Sequence, residues 1–183
     1  MYHVIKQYAR SLALILFLGA GLVFMATPMN SNAQSIKVGP RATLSLGDIS
    51  DLGGDFGIGA NARVGIPTVP VNGDAAFTYY FAEENTTIWT VDINALYPLP
   101  LENPAFSPYV GAGIGITSFE FTQTTSTGFG TVTSSVSDTD TALNLIGGVE
   151  FSAGAVSPFV EANLSVGGDV DRFGLTGGFL YGF

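Results

Sequence analysis

The 183-residue chain has no cysteine. That excludes disulfide-stapled secreted folds, thiolate metal centres, and anchoring through an acylated N-terminal Cys. Its one histidine is His3, so the rest of the chain lacks the usual general base and imidazole ligand near neutral pH. No catalytic, metal-binding or cofactor-binding residue is assigned, and the chain is read as a non-enzyme without a cofactor. Basic residues are also scarce, six against 15 acidic ones, which removes the footprint of a nucleic-acid binder. Long apolar runs are missing everywhere except near the N-terminus, so no second segment approaches the length of a spanning helix.

That one run extends from Ser11 to Ala26, behind Lys6 and Arg10 and ahead of Pro28. With the small residues Ser31 and Ala33 after it, it reads as a signal peptide over 1–33, leaving a single domain over 34–183. The remaining chain then carries four basic and 15 acidic residues, a net charge of −11.

What dominates this remainder is alternation with period two, in short segments broken by Gly, Pro, Asn and Asp. Ile36, Val38, Pro40, Ala42, Leu44 and Leu46 share one face, with Lys37, Arg41, Thr43 and Ser45 opposite. Phe56 to Ile66 repeats the pattern with Asn61 and Arg63 opposite, and Pro67 to Gly73 closes it as an Asn-Gly turn. Ala75 to Phe81, Trp89 to Tyr97, Pro108 to Ile116, Leu143 to Phe151, Val160 to Val166 and the segment from Phe173 give further strands of roughly ten residues each. Phe119 to Asp140, dense in Thr, Ser and Gly, reads as the largest surface loop, either entirely or with the ends of its flanking strands extending beyond the membrane. Trp89 and Tyr97 bracket an aliphatic stretch, as interface aromatics do. Eight strands are expected to close into an all-β, antiparallel up-and-down barrel that crosses a membrane, its greasy face toward lipid.

Two stretches carry a family resemblance. The C-terminal alternation Phe179, Tyr181, Phe183 resembles the terminal-aromatic assembly signal of bacterial outer-membrane β-barrels, and Pro108-Tyr-Val-Gly-Ala-Gly113 is similar to a strand of the small barrels related to opacity proteins and the outer-membrane protein A barrel. The resemblance implies residence in the cell outer membrane among lipid and lipopolysaccharide, and reading of the C-terminal end by the outer-membrane insertion machinery. It also implies a monomer whose loops are free to meet an extracellular partner.

An eight-stranded barrel is filled by its own side chains. The inward set therefore predicts a structural charge network of Arg41 and Arg63 with Asp92, Glu150 and Glu161, and Tyr80, Tyr109 and Phe159 are the residues available to occupy space left by inward glycines. Three readings of function remain open at this level. The first is a structural or adhesion-like surface protein; the second, a narrow porin-like channel for small solutes or ions; the third, a soluble secreted lipocalin-like binding barrel. Carboxylates at Asp169 and Asp171 raise weak divalent-cation binding, against the plainer reading of a solvated loop.

Overall fold

The computed structural model describes residues 35–65, 69–83, 85–101, 105–127 and 130–182. The segment expected to be a signal peptide, 1–33, together with Gln34, Ile66, Glu84 and Phe183, lies outside the described residues. Among those described, eight antiparallel strands form one closed barrel in sequence order: β1 (Ile36–Gly47), β2 (Phe56–Gly65), β3 (Asn72–Tyr80), β4 (Thr86–Pro98), β5 (Phe106–Thr127), β6 (Gly130–Phe151), β7 (Val156–Val166) and β8 (Arg172–Gly182). The cylinder shuts where β1 meets β8, with Arg41 opposite Gly178 and Leu46 opposite Phe173. Closure leaves no sheet edge along the wall, which a chain of consecutive hairpins can reach only by pairing its first and last strands.

Facing follows the alternation. Leu44, Ile93, Ile114, Leu143, Val160 and Phe179 are exposed on the outside, Ile93 by 65%. Arg41, Arg63, Asp74, Asp92 and Glu161 are each less than one-tenth exposed, inside. A soluble lipocalin-like barrel would invert this distribution, since its outer wall meets water, so the structure removes that reading.

The apolar outer band has a sharp upper limit. On β5 the outward residues change from Ile114 and Ile116 to Ser118 and Glu120, and on β6 from Leu145 and Leu143 to Thr141 and Thr139. Beyond that limit the two strands continue through nearly all of Phe119 to Asp140, farther than a loop with only the ends of its flanking strands extended. β5 and β6 are 22 residues each and stay paired to Thr127 opposite Gly130. A strand of that length is about 70 Å long, more than twice the ~25 Å apolar band even at a ~40° tilt. The stretch looked like a loop because Ser and Gly dilute it, but Thr, Val and Phe are strand formers and their pairing decides.

Two further expectations change. The stretch Asp48 to Gly54, whose Asp and Gly residues read as a turn, is not a plain one, for Asp48–Asp51 forms a short helix, α1, that buries Ile49 completely. Asn72 and Gly73 are not a hairpin turn either: they open β3, opposite Gly65 and Val64. We call the end of the barrel that carries α1 and the β5–β6 hairpin the loop end, and the other, beside Ile36 and Gly182, the terminal end.

Candidate functional site

The barrel interior and the loop end are the two places where this chain gathers chemistry. Inside, Arg63 on β2 holds the larger ion-pair cluster. Its Nε donates to Asp74 Oδ1 at 3.1 Å and its Nη1 to Glu150 Oε2 at 2.8 Å, while Nη2 lies 3.8 Å from Glu161 Oε2. The guanidinium also stands over the rings of Tyr109 and Phe159, 4.7 and 5.5 Å from their centroids. Tyr109 donates its hydroxyl to Glu161 at 2.9 Å, and Arg41 donates to Glu161 at 3.2 Å and to Thr176 at 3.0 Å. Lys37 pairs with Glu150 toward the terminal end and donates to Ser157.

Asp92 does not join this cluster. It pairs with Arg172 at 2.9 Å and accepts from Asn144 at 2.9 Å, in a second cluster nearer the loop end. The single network expected from Arg41, Arg63, Asp92, Glu150 and Glu161 is thus two, and Asp74 and Arg172 enter as members that sequence reasoning left out. The sequence reading leaves Asp74 between the Pro67 to Gly73 turn and the strand from Ala75, and Arg172 just ahead of the strand from Phe173. Parity would have found them, because Asp74 lies in phase with inward Ala76 and Thr78, and Arg172 with inward Thr176.

Glycine is what lets these side chains fit. A Cβ on Gly148 would lie 2.5 Å from the Tyr109 ring, one on Gly178 would lie 2.5 Å from Phe159, and one on Gly115 would lie 2.1 Å from the Arg172 guanidinium. Large groups on one strand therefore lie across bare backbone on its neighbour. Above the Asp92 cluster, Ile49, Tyr80, Ile88 and Phe119 form a buried apolar cluster, with Leu52 and Val170 packed on it, and α1 drops Ile49 into the mouth. At the terminal end, a cavity of about 170 Å³ lined by Lys37, Arg63, Asn72, Tyr109 and Glu150 opens below the larger cluster. Every charged group lining it already has a partner.

The charges are segregated. All four Lys and Arg residues of 35–183 lie within the barrel, and Asp74, Asp92, Glu150 and Glu161 balance them. Nothing basic is left for the loop end, where Asp48, Asp51, Asp55, Glu83, Asp138 and Asp169 are exposed. Some of its carboxylates brace the turns: Asp48 accepts from the Asp171 backbone N–H at 2.9 Å, and Asp140 from those of Asp169 and Val170. Asp169 and Asp171 gain no third ligand, and no group of three metal-ligating residues occurs among the described residues. One consequence is directly measurable. Trypsin is expected to leave the folded barrel over 35–183 uncut, whereas a protease that cleaves at Asp trims the loop end; trypsin cleavage at Arg172 in folded protein would contradict the placement.

Trp89 and Tyr97 lie at opposite ends of β4, toward the loop end and the terminal end respectively. Trp89 packs beside Phe77, ring centroids 6.4 Å apart. Phe179 and Tyr181 project outward from the terminal half of β8.

Comparison with solved structures agrees on the architecture. The N-terminal β-barrel domain of Pseudomonas aeruginosa OprF superposes with a TM-score of 0.60 at 14% identity, over 81% of this chain and 97% of that one. Ail, the attachment invasion locus protein of Yersinia pestis, gives 0.59 at 20% identity, over 82% and 97%, and has also been crystallised with the heparin analogue sucrose octasulfate. Neisserial surface protein A gives 0.52 at 14% identity, over 82% and 97%. No curated protein matches the chain. The family model of the outer membrane protein beta-barrel domain matches residues 15–179, so the chain belongs to that family and is located in the outer membrane.

Proposed function

We infer that this protein is a closed, membrane-anchored scaffold that presents its loop end, above all the β5–β6 hairpin, outside the cell as a surface for interaction. The observation that carries the reading is the contrast between the two regions. The interior is occupied from the α1 cluster through both ion-pair clusters, while β5 and β6 run on well beyond their neighbours' pairing. On this reading residues 1–33 are a cleaved export signal, 34–183 a monomeric barrel, and the Phe179, Tyr181, Phe183 alternation the feature recognised by the insertion machinery. Catalysis is not proposed, because the buried carboxylates Asp74, Asp92, Glu150 and Glu161 are all committed to cations. The Trp89 and Tyr97 rings would lie at the two membrane surfaces.

Planar-bilayer recording of the folded protein tests the closed interior. The expected result is no stable stepwise conductance; large, steady steps would replace this reading with the narrow channel. The loop end also constrains the partner. Ail was crystallised with a polysulfated ligand, but over 35–183 this chain has no Lys or Arg outside its barrel. Polyanion binding needs cationic contacts and weakens with salt. The folded protein is therefore expected to pass through a heparin column at physiological ionic strength, and retention there would overturn the argument against a polyanionic partner.

A further inference from the structure

The outer wall is not uniformly studded with side chains. Across β6, β7 and β8 it carries an apolar groove of about 680 Å³, walled by Leu44, Val149, Val160 and Leu175 and floored by Gly147, Ala162 and Gly177. Register brings the floor together, with Gly147 opposite Ala162 on β7 and Gly177 opposite Val160, midway along strands that start at Val156 and Arg172.

Nothing within the barrel requires glycine at these two positions. Neither has a positive φ. A Cβ on Gly147 would meet no atom within 4 Å, and one on Gly177 would come no closer than 4.0 Å to the Phe159 carbonyl oxygen. Their neighbours Gly148 and Gly178 differ, because Tyr109 and Phe159 occupy the space of the missing side chains. Glycine in a strand interior weakens the strand, so Gly147 and Gly177 lower stability without any internal compensation. What they create is a concavity between the larger side chains of Leu44, Val149, Val160 and Leu175.

We propose that this groove is a binding site for one acyl chain of a bilayer lipid. The wall lies in hydrocarbon, so the recess opens onto chains rather than water, and its floor and rim offer close dispersion contact that a convex wall cannot give. A second copy of the barrel is the poorer occupant. A two-fold pair centred on this face would set groove against groove and enlarge the void instead of filling it.

The test uses the wild-type barrel in vesicles of phosphatidylethanolamine bearing a diazirine in the acyl chain, with adducts mapped by mass spectrometry after illumination. Adducts on Val149, Val160 and Leu175 are expected to exceed those on Ile58 of β2 and Ile93 of β4, across the barrel, several-fold. In a Gly147→Phe/Gly177→Phe variant, shown to be folded by heat-modifiable gel migration, that excess should disappear. An even distribution on the wild-type wall would overturn the proposal without requiring the variant to fold. Barrel-to-barrel cross-links from a benzophenone side chain introduced at Val160 would overturn it in favour of a dimer.

Discussion

Replacing Arg63 with Met is expected to destabilise the folded barrel by about 3–5 kcal/mol, the range for removing one partner of a buried charge cluster. The size follows from what stays behind. Asp74 and Glu161 keep side chains only 2% exposed, and Glu150 retains Lys37 while Glu161 retains Arg41 and Tyr109. Asp74 is left with Asn61 alone, whose amide lies 3.2 Å from both carboxylate oxygens. An amide cannot compensate the desolvation of a carboxylate as a guanidinium does. Urea unfolding in lipid vesicles, followed through Trp89 as the single tryptophan, measures the loss. Combining Arg63→Met with Asp74→Asn should recover part of it, since the stranded charge is then gone. A loss below about 1 kcal/mol would place Arg63 among weakly contributing surface pairs and refute the cluster's structural role.

Phe159→Ala is expected to cost a comparable amount, about 3–5 kcal/mol, through the cavity it opens in the barrel centre. Phe159 is 1% exposed, lies across the bare backbone of Gly178 and beneath the Arg63 guanidinium. Its strand neighbours cannot close the gap, because barrel closure fixes the strand spacing on both sides of β7. Phe159→Leu keeps most of the volume and should cost less than about 1.5 kcal/mol. The Ala variant is still expected to lack stable conductance, because Ile49 and its cluster close the loop end independently. Conductance appearing with this one substitution would identify Phe159 as the sole barrier and contradict the layered closure.

The arrangement makes the barrel's interior and its outer wall complementary solutions to one problem. Charges are costly in a bilayer unless paired, and this chain withdraws all its remaining cations inward, where each meets a carboxylate. The consequence for the exterior is an uninterrupted apolar band below and a purely acidic set of ionisable groups above. Anchoring and surface character thus come from the same partition of charge.

Much of this was legible in the residues themselves. Alternation with period two assigned the facing of Leu44, Arg63, Ile93 and Glu161, because in an extended chain successive side chains point to opposite sides whatever the strand later pairs with. The same local rule was enough for fold class, while the family rested on the resemblance of the Phe179, Tyr181, Phe183 alternation and of Pro108 to Gly113 to known barrels. It was weaker where composition and conformation disagree. Thr-rich β5 and β6 beyond Ile116 resembled a loop, and Asn72-Gly73 resembled a turn, because such residues serve both states and only the strand alongside selects between them.

Partner choice lay beyond the reach of any local pattern. Arg41 meets Glu161 across 120 residues of sequence, and Asp92 meets Arg172 across 80; register and closure select these partners from several inward carboxylates of equal chemistry. The descent of Ile49 into the mouth and the recess over Gly147 and Gly177 are likewise properties of the assembled cylinder. A sequence determines which way each side chain of a strand points, since that is set by bonds to its immediate neighbours. What the side chain then touches depends on strands far away in the chain, and only the closed barrel decides it.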